Sequence, residues 1–155
     1  ADDVAYKTGL MGSPQTLRQY AFPWFARLVQ LAHNHGVPAI CHTDGKVDSI
    51  LEDIIDMGFD AFNPVEPPVM DIVEVKKRVE GRLCLLGNID LGYTLTRGTP
   101  QEVDEEVKER IRVLAPGGGY CLSSSNSIPD YVPFENYIAM RDAWLKYVEY
   151  PIQLD

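Results

Sequence analysis

The sequence predicts an α/β fold, a parallel sheet of four strands alternating with helices, which makes half of a TIM-type (β/α)₈ barrel. Three observations carry this. Short apolar runs alternate strictly with segments of helical periodicity along the chain, the pattern of a parallel sheet covered by helices. Each apolar run ends in polar residues, so that polar side chains would gather at one rim, where barrels place their chemistry. A small doubly wound sheet is the competing arrangement, but it favours a Gly-rich phosphate turn after its first strand. Here the first clear strand ends in His42-Thr43-Asp44-Gly45, and Gly117-Gly118-Gly119 precedes a strand. That triple glycine reads as a helix-to-strand turn.

The elements follow in order. Asp2 and Asp3 open the chain with no strand before them, and Lys7–Gly12 reads as loop. Ser13 caps a helix with Pro14 at its first position. Leu17, Tyr20, Ala21, Trp24, Leu28 and Leu31 give it an apolar face, Gly36 ends it, and Pro23 should kink it or break it in two. Strands are expected at Val37–Cys41, Asp60–Asn63, Leu83–Gly87 and Tyr120–Ser123, and helices at Val47–Met57, Asp71–Glu80, Pro100–Leu114 and Phe134–Val148. Apolar residues at Val47, Ile50, Leu51, Ile54 and Ile55 share one stripe, and Gly58 stops that helix. Thr99-Pro100-Gln101-Glu102 fits a capping box with Val103, Val107, Ile111 and Leu114 on the buried face. The last helix offers Tyr137, Ile138, Trp144, Leu145 and Val148.

Composition narrows the functions. The 155 residues are one domain's worth of chain, 45% hydrophobic and 24% charged, with net charge −9. That balance argues against nucleic acid or an anionic membrane as partner, since both require clustered Lys and Arg. No apolar run approaches the roughly 20 residues of a membrane span. Three cysteines, Cys41, Cys84 and Cys121, each lie within apolar strand-like runs, so reduced, buried thiols of a cytoplasmic protein are expected. The chain begins on Ala1 without Met, and a half barrel has two open edges. Either a homodimer or a fragment of a longer barrel chain is expected.

The strand ends hold the candidate chemistry. In a strand alternate residues share a face, so His42 and Asp44 project together. The βαβ unit brings Glu66 to the same rim. One imidazole with two carboxylates suits a divalent ion such as Zn²⁺, Mn²⁺ or Fe²⁺, or acid–base work. His42, Asp44 and Glu66 are thus both the catalytic and the metal candidates, with Asn88, Asp90, Arg97 and Asn126 as substrate- or cofactor-binding candidates. Plainer readings stand beside these: His42 bonded to Asp44 at a strand end, Glu66 in a solvated loop, Asp90 capping the next segment, Ser123–Ser127 as a polar turn. His33 and His35 end a helix, where a cation suits the macrodipole, and are read as structural. Lys46 and Arg97 are the basic side chains at the rim; they could meet an anionic substrate or stay solvated.

Seven stretches in order resemble one family. They are Asp2-Asp3 with Gly9-Leu10-Met11-Gly12-Ser13-Pro14; His42-Thr43-Asp44-Gly45; Asp60-Ala61-Phe62-Asn63-Pro64 before Glu66; and Leu86-Gly87-Asn88-Ile89-Asp90. Gly98-Thr99-Pro100, Ala115-Pro116-Gly117-Gly118-Gly119-Tyr120 leading to Ser124-Ser125-Asn126, and Pro133-Phe134-Glu135-Asn136-Tyr137 complete the set. Over nearly its whole length the chain resembles the C-terminal half of the uroporphyrinogen decarboxylase superfamily of (β/α)₈ barrels, making residues 1–155 a single half-barrel domain. The resemblance implies one of two chemistries. The decarboxylases of porphyrin biosynthesis work without metal and bind a tetrapyrrole largely through the other half. The corrinoid-dependent methyltransferases hold zinc through a His-x-Cys pair, a later acidic residue and a late Cys, and the zinc-bound thiolate attacks a cobalt-bound methyl group.

Here His42 matches the His and Glu66 the acid, while Asp44 and Asn126 stand where the cysteines would be. The match is therefore nearer the methyltransferase branch, with zinc first among divalent ions. Oxygen in place of sulfur would hold a metal less tightly and leave it more Lewis acidic. That suits a small-molecule acceptor other than a thiol, such as a folate or an O- or N-methyl compound, and a corrinoid protein as methyl carrier. The alternatives are metal-free decarboxylation of a tetrapyrrole and a non-catalytic half barrel that binds a corrinoid protein or another subunit.

Overall fold

Four parallel strands wind in one direction. In a computed structural model of the chain, which describes residues 3–79 and 81–152, a two-stranded antiparallel hairpin comes first, β1 (Ala5–Tyr6) and β2 (Gly9–Leu10). Helices α1 (Pro14–Tyr20) and α2 (Phe22–Asn34) follow. Then come β3 (Ile40–His42), a 3₁₀ turn at Asp48–Ile50 running into α3 (Leu51–Asp56), β4 (Ala61–Asn63) and α4 (Ile72–Val79). The chain continues through β5 (Cys84–Ile89), α5 (Thr94–Arg97), α6 (Pro100–Leu114), β6 (Tyr120–Ser124) and α7 (Phe134–Tyr147). Ala1, Asp2 and Glu80, which the sequence reading used, lie outside the described residues.

The sheet order β3-β4-β5-β6 follows the chain, and every pairing is parallel. A doubly wound sheet reverses its strand order at a switch point; this sheet has no reversal, and its winding is that of a barrel. Cys41 and Phe62 are register partners and both pack into the core under the helices. By alternation Ile40 with Ala61, and His42 with Asn63, share the opposite, inner face.

Two core clusters lie between sheet and helices. Ile50, Leu51, Ile54, Ile72, Val75 and Val79 close over Phe62, Leu83 and Leu85. Val103, Val107 and Ile111 of α6 close over Ile89 with Leu95, Val132 and Ala143. Each such fully buried side chain contributes about 1.5–3 kcal/mol. The capping box that starts α6 is present in full, with Thr99 Oγ1 accepting from Glu102 N and Glu102 Oε2 accepting from Thr99 N.

Several local expectations are corrected. Lys7–Gly12, read as loop, contributes strand β2; strands of two residues are too short to show alternation. The first helix is two helices divided at Ala21, because Pro23 fits the first turn of α2, where its missing N–H is not needed. Strands β3 and β5 begin and end later than expected.

On two helices only part of the expected apolar face meets the core: Leu17 and Ala21 do, but the larger side chains do not. Tyr20, Trp24, Leu28 and Leu31 are exposed, while Phe22 and Val29 are buried with Leu17, Ala21 and Phe25 packed beside the core. On α7, Trp144 and Leu145 face outward; Asn136 and Ala143 are buried, with Ala139, Met140 and Tyr147 against the second cluster. Each helix carries two apolar stripes, and periodicity alone cannot say which one meets the sheet. Among the described residues no helix is long and apolar enough to cross a membrane.

Candidate functional site

The site is built at the C-terminal end of β3. Thr43 is buried; its N–H donates to Asn63 O at 3.2 Å and its hydroxyl accepts from Val4 N at 3.0 Å. Gly45 follows with φ +86°, and an added Cβ there would lie 2.6 Å from the Tyr6 backbone. The β1–β2 hairpin therefore sits directly on this turn, and Lys46 N donates to Tyr6 O at 3.1 Å. That contact carries Asp3 into the site, where its Oδ1 accepts from Asp44 N at 2.9 Å.

Among the described residues, Asp3, His42 and Asp44 converge, each offering one ligand atom and these atoms all within 4.8 Å of one another. His42 Nε2 lies 3.9 Å from Asp44 Oδ1, and His42 Nδ1 is 2.6 Å from Asn63 Oδ1. His42 and Asp44 are half-buried and Asp3 is exposed, so the cluster stays reachable. Asn126, from the loop after β6, donates its Nδ2 to both Asp44 oxygens, at 3.1 and 2.9 Å. Its own Oδ1 accepts from Ser127 N at 2.7 Å.

The other sequence-predicted residues surround this cluster at different distances. Glu66 stands beside it: Oε2 accepts from Gly45 N at 3.1 Å, and Oε1 lies 3.9 Å from Lys7 Nζ. Its turn is held by Asn88, which is buried and donates Nδ2 to Val65 O at 2.7 Å across a residue with φ +50°. Asp90 accepts from Gly92 N at 2.7 Å and Tyr93 N at 2.8 Å, so it caps the segment that follows β5. Arg97 donates to Gly92 O at 2.5 Å and lies 5.9 Å from the Tyr93 ring centroid. The structure thus joins His42, Asp44 and Asn126, sets Glu66 alongside, and ties Asn88, Asp90 and Arg97 to backbone.

Two residues of the site escaped the sequence reading as functional candidates. Asp3 arrives through the hairpin, which had no periodic signal. Asn63 was legible in principle, since parallel pairing of β3 with β4 sets it opposite His42. His33 is structural as read, 2.8 Å from Asp60 Oδ2. The Ala39 N–H, and after it His33, hold the Asp60 carboxyl below its usual range. Cys121 is exposed, against expectation, because alternation turns it away from the helix-covered face that Tyr120 and Leu122 occupy.

A one-way parallel sheet with helices on its outer face and polar groups at its strand ends defines half of a (β/α)₈ barrel. The chain belongs to the uroporphyrinogen decarboxylase (URO-D) family, whose model matches residues 3–147. The methylcobamide:CoM methyltransferase MtaA of Methanosarcina barkeri is 34% identical over 151 residues, covering 93% of this chain and 40% of that protein. The uroporphyrinogen decarboxylase of Anaeromyxobacter dehalogenans (strain 2CP-C) is 27% identical over 129 residues, 83% of this chain and 36% of that protein. Among solved structures, a methyltransferase from Methanosarcina mazei superposes with a TM-score of 0.74 at 25% identity, covering 89% of this chain and 39% of that one. The half-barrel expectation and the closer likeness to the methyltransferase branch are borne out. The chain spans well under half the length of these relatives.

Proposed function

We propose that this chain carries the metal-binding half of a methyl-transfer site, receiving the methyl group from a corrinoid and acting on a small-molecule acceptor. The observation that supports it is the convergence of Asp3, His42 and Asp44 at the strand ends. The likeness to MtaA, a methylcobamide:CoM methyltransferase, supplies the reaction class.

The donor set fits a divalent cation. One imidazole nitrogen and carboxylate oxygens are ligands that Zn²⁺, Mn²⁺ or Fe²⁺ accepts. Asn126 satisfies part of the Asp44 carboxylate and fixes its plane, and the cluster is open enough for a substrate to reach. His42, Asp44 and Asp3 would hold the ion, and when bound it would supply Lewis acidity that eases loss of the acceptor's proton.

The chain's own residues do the rest. The methyl group passes to a lone pair of the acceptor, the electron pair of the broken methyl–carrier bond stays with the carrier, and the acceptor's proton leaves. Glu66, anchored through one oxygen by Gly45 N–H, takes that proton with its other oxygen. Asn88 and Asp90 hold the turns that keep Glu66 and the β5 end in place. Arg97, whose guanidinium donates to Gly92 O, is the cation we assign to an anionic part of the substrate.

The test is methyl transfer from a methylated cobamide to thiol and folate acceptors, followed by the loss of methyl–cobalt absorbance. The expected result is acceptor-dependent loss, slowed by about 100-fold or more by His42→Ala, since removing a ligand should cost at least as much as removing one of its outer partners. No demethylation with any acceptor, together with release of CO₂ from uroporphyrinogen, would replace this reading with decarboxylation.

A further inference from the structure

We infer that Asn63 is a positioning residue that locks His42 in the tautomer with its proton on Nδ1 and so presents Nε2 as the ligand atom; the ligand role rests on the methyl-transfer reading above, the tautomer does not. The geometry starts with the sheet. His42 and Asn63 are register partners on neighbouring parallel strands, and register partners project from the same face. The Asn63 backbone is already fixed against β3, since its carbonyl accepts from Thr43 N at 3.2 Å.

The side chain is fixed from the other direction. Asn63 Nδ2 donates to Leu86 O on β5 at 3.2 Å. A carbonyl oxygen can only accept, so the NH₂ end of the carboxamide must face β5 and the oxygen end must face β3. That oxygen lies 2.6 Å from His42 Nδ1, and it too can only accept. Nδ1 must therefore carry a hydrogen. In the neutral ring the lone pair is then on Nε2, the nitrogen 3.9 Å from Asp44 Oδ1. A relay of two hydrogen bonds across three strands thus sets which nitrogen of His42 is basic. Outer partners of this kind fix ring orientation and tautomer at histidine ligands. Here the partner is a carboxamide, which orients the ring without adding charge to a site that already holds Asp3 and Asp44.

Nitrogen-15 NMR of histidine-labelled, metal-free protein reads the tautomer directly, at about pH 8, where an ordinary imidazole is neutral. His33 and His35 are the only other histidines, and a His42→Gln spectrum assigns the signal. The expected spectrum has a protonated Nδ1 and a bare Nε2 in the wild type. Asn63→Leu should give a mixture of tautomers and, in Co²⁺ titrations, an affinity about 10–100-fold weaker. A wild-type His42 protonated on Nε2 would overturn the inference even if Asn63→Leu fails to fold. Nδ1–H in a wild type that binds no Co²⁺ would sustain the Asn63 assignment and remove the metal reading alone. Equal Co²⁺ affinity in wild type and a folded Asn63→Leu would overturn the positioning role.

Discussion

Asn126 and Asp44 lie 82 residues apart and meet through two hydrogen bonds, from Asn126 Nδ2 to both Asp44 oxygens. They follow β6 and β3, the two outer strands of the sheet. A flat four-stranded sheet would keep those ends roughly 14 Å apart at the usual strand spacing. The curl of a half barrel brings them together. Asn126→Leu should therefore loosen the Asp44 carboxylate and cost about 1 kcal/mol, less than the usual value for a hydrogen bond to a charged group because the site is partly solvated. Urea denaturation measures this, and Asn126→Asp, which sets two carboxylates together, should cost more.

Gly45→Ala should be the most damaging single change at the turn. The new methyl group would meet the Tyr6 backbone at 2.6 Å, in a residue with φ +86°. The hairpin must move or the turn must unwind, which would withdraw Asp3 from His42 and Asp44. A loss of about 2 kcal/mol or more is expected, with cation binding falling alongside it. Unchanged stability would mean that the hairpin does not rest on the turn.

The thiols should react in order of exposure. Cys121 is exposed and should be alkylated first. Burial pushes the Cys41 thiol up to about 12 and also raises Cys84, so both stay protonated and slow until the chain opens. The unfolded Cys41 titrates at its ordinary 9.0, so the fold's disfavouring of its thiolate costs nothing below that pH. Stability should then fall as pH rises from 9.0 toward about 12, and Cys41→Ser should flatten that part of the profile. Mass spectrometry of alkylated peptides and alkaline unfolding curves check both statements.

Much of this arrangement was legible in the sequence because it rests on local pattern. The stripe Val103, Val107, Ile111, Leu114 has one apolar face and a capping box, and it is buried as expected. Strand ends carrying His42, Asp44 and Asn126 were legible because alternation and parallel connection dictate where they point. What was not legible depended on contacts between distant segments. Asp3 enters the site only because a hairpin of two-residue strands lands on Gly45. The exposed stripes of α2 and α7 misled because each helix has a second apolar stripe of comparable size. Asp90 carried two readings, and the Gly92 and Tyr93 N–H groups take up its carboxylate as a cap.

Those exposed stripes make a prediction about assembly. Tyr20, Trp24, Leu28 and Leu31 are exposed on the helices that precede β3, and Phe134, Tyr137, Trp144 and Leu145 on the helix that follows β6. Surfaces of this kind associate. In light scattering the isolated chain should run above its 17.4 kDa monomer mass, and Trp24→Glu with Leu28→Glu should shift it toward monomer. A stable monomer of the unaltered chain would contradict this.

The most direct test of the whole account is metal content by mass spectrometry after equilibration with Zn²⁺, Mn²⁺ and Fe²⁺, on the wild type and on single alanine variants at Asp3, His42, Asp44 and Glu66. The account predicts near-stoichiometric metal in the wild type, loss in His42→Ala and Asp44→Ala, partial loss in Asp3→Ala and retention in Glu66→Ala. A wild type that holds none of the three ions, or holds them equally well without His42 and Asp44, would contradict it.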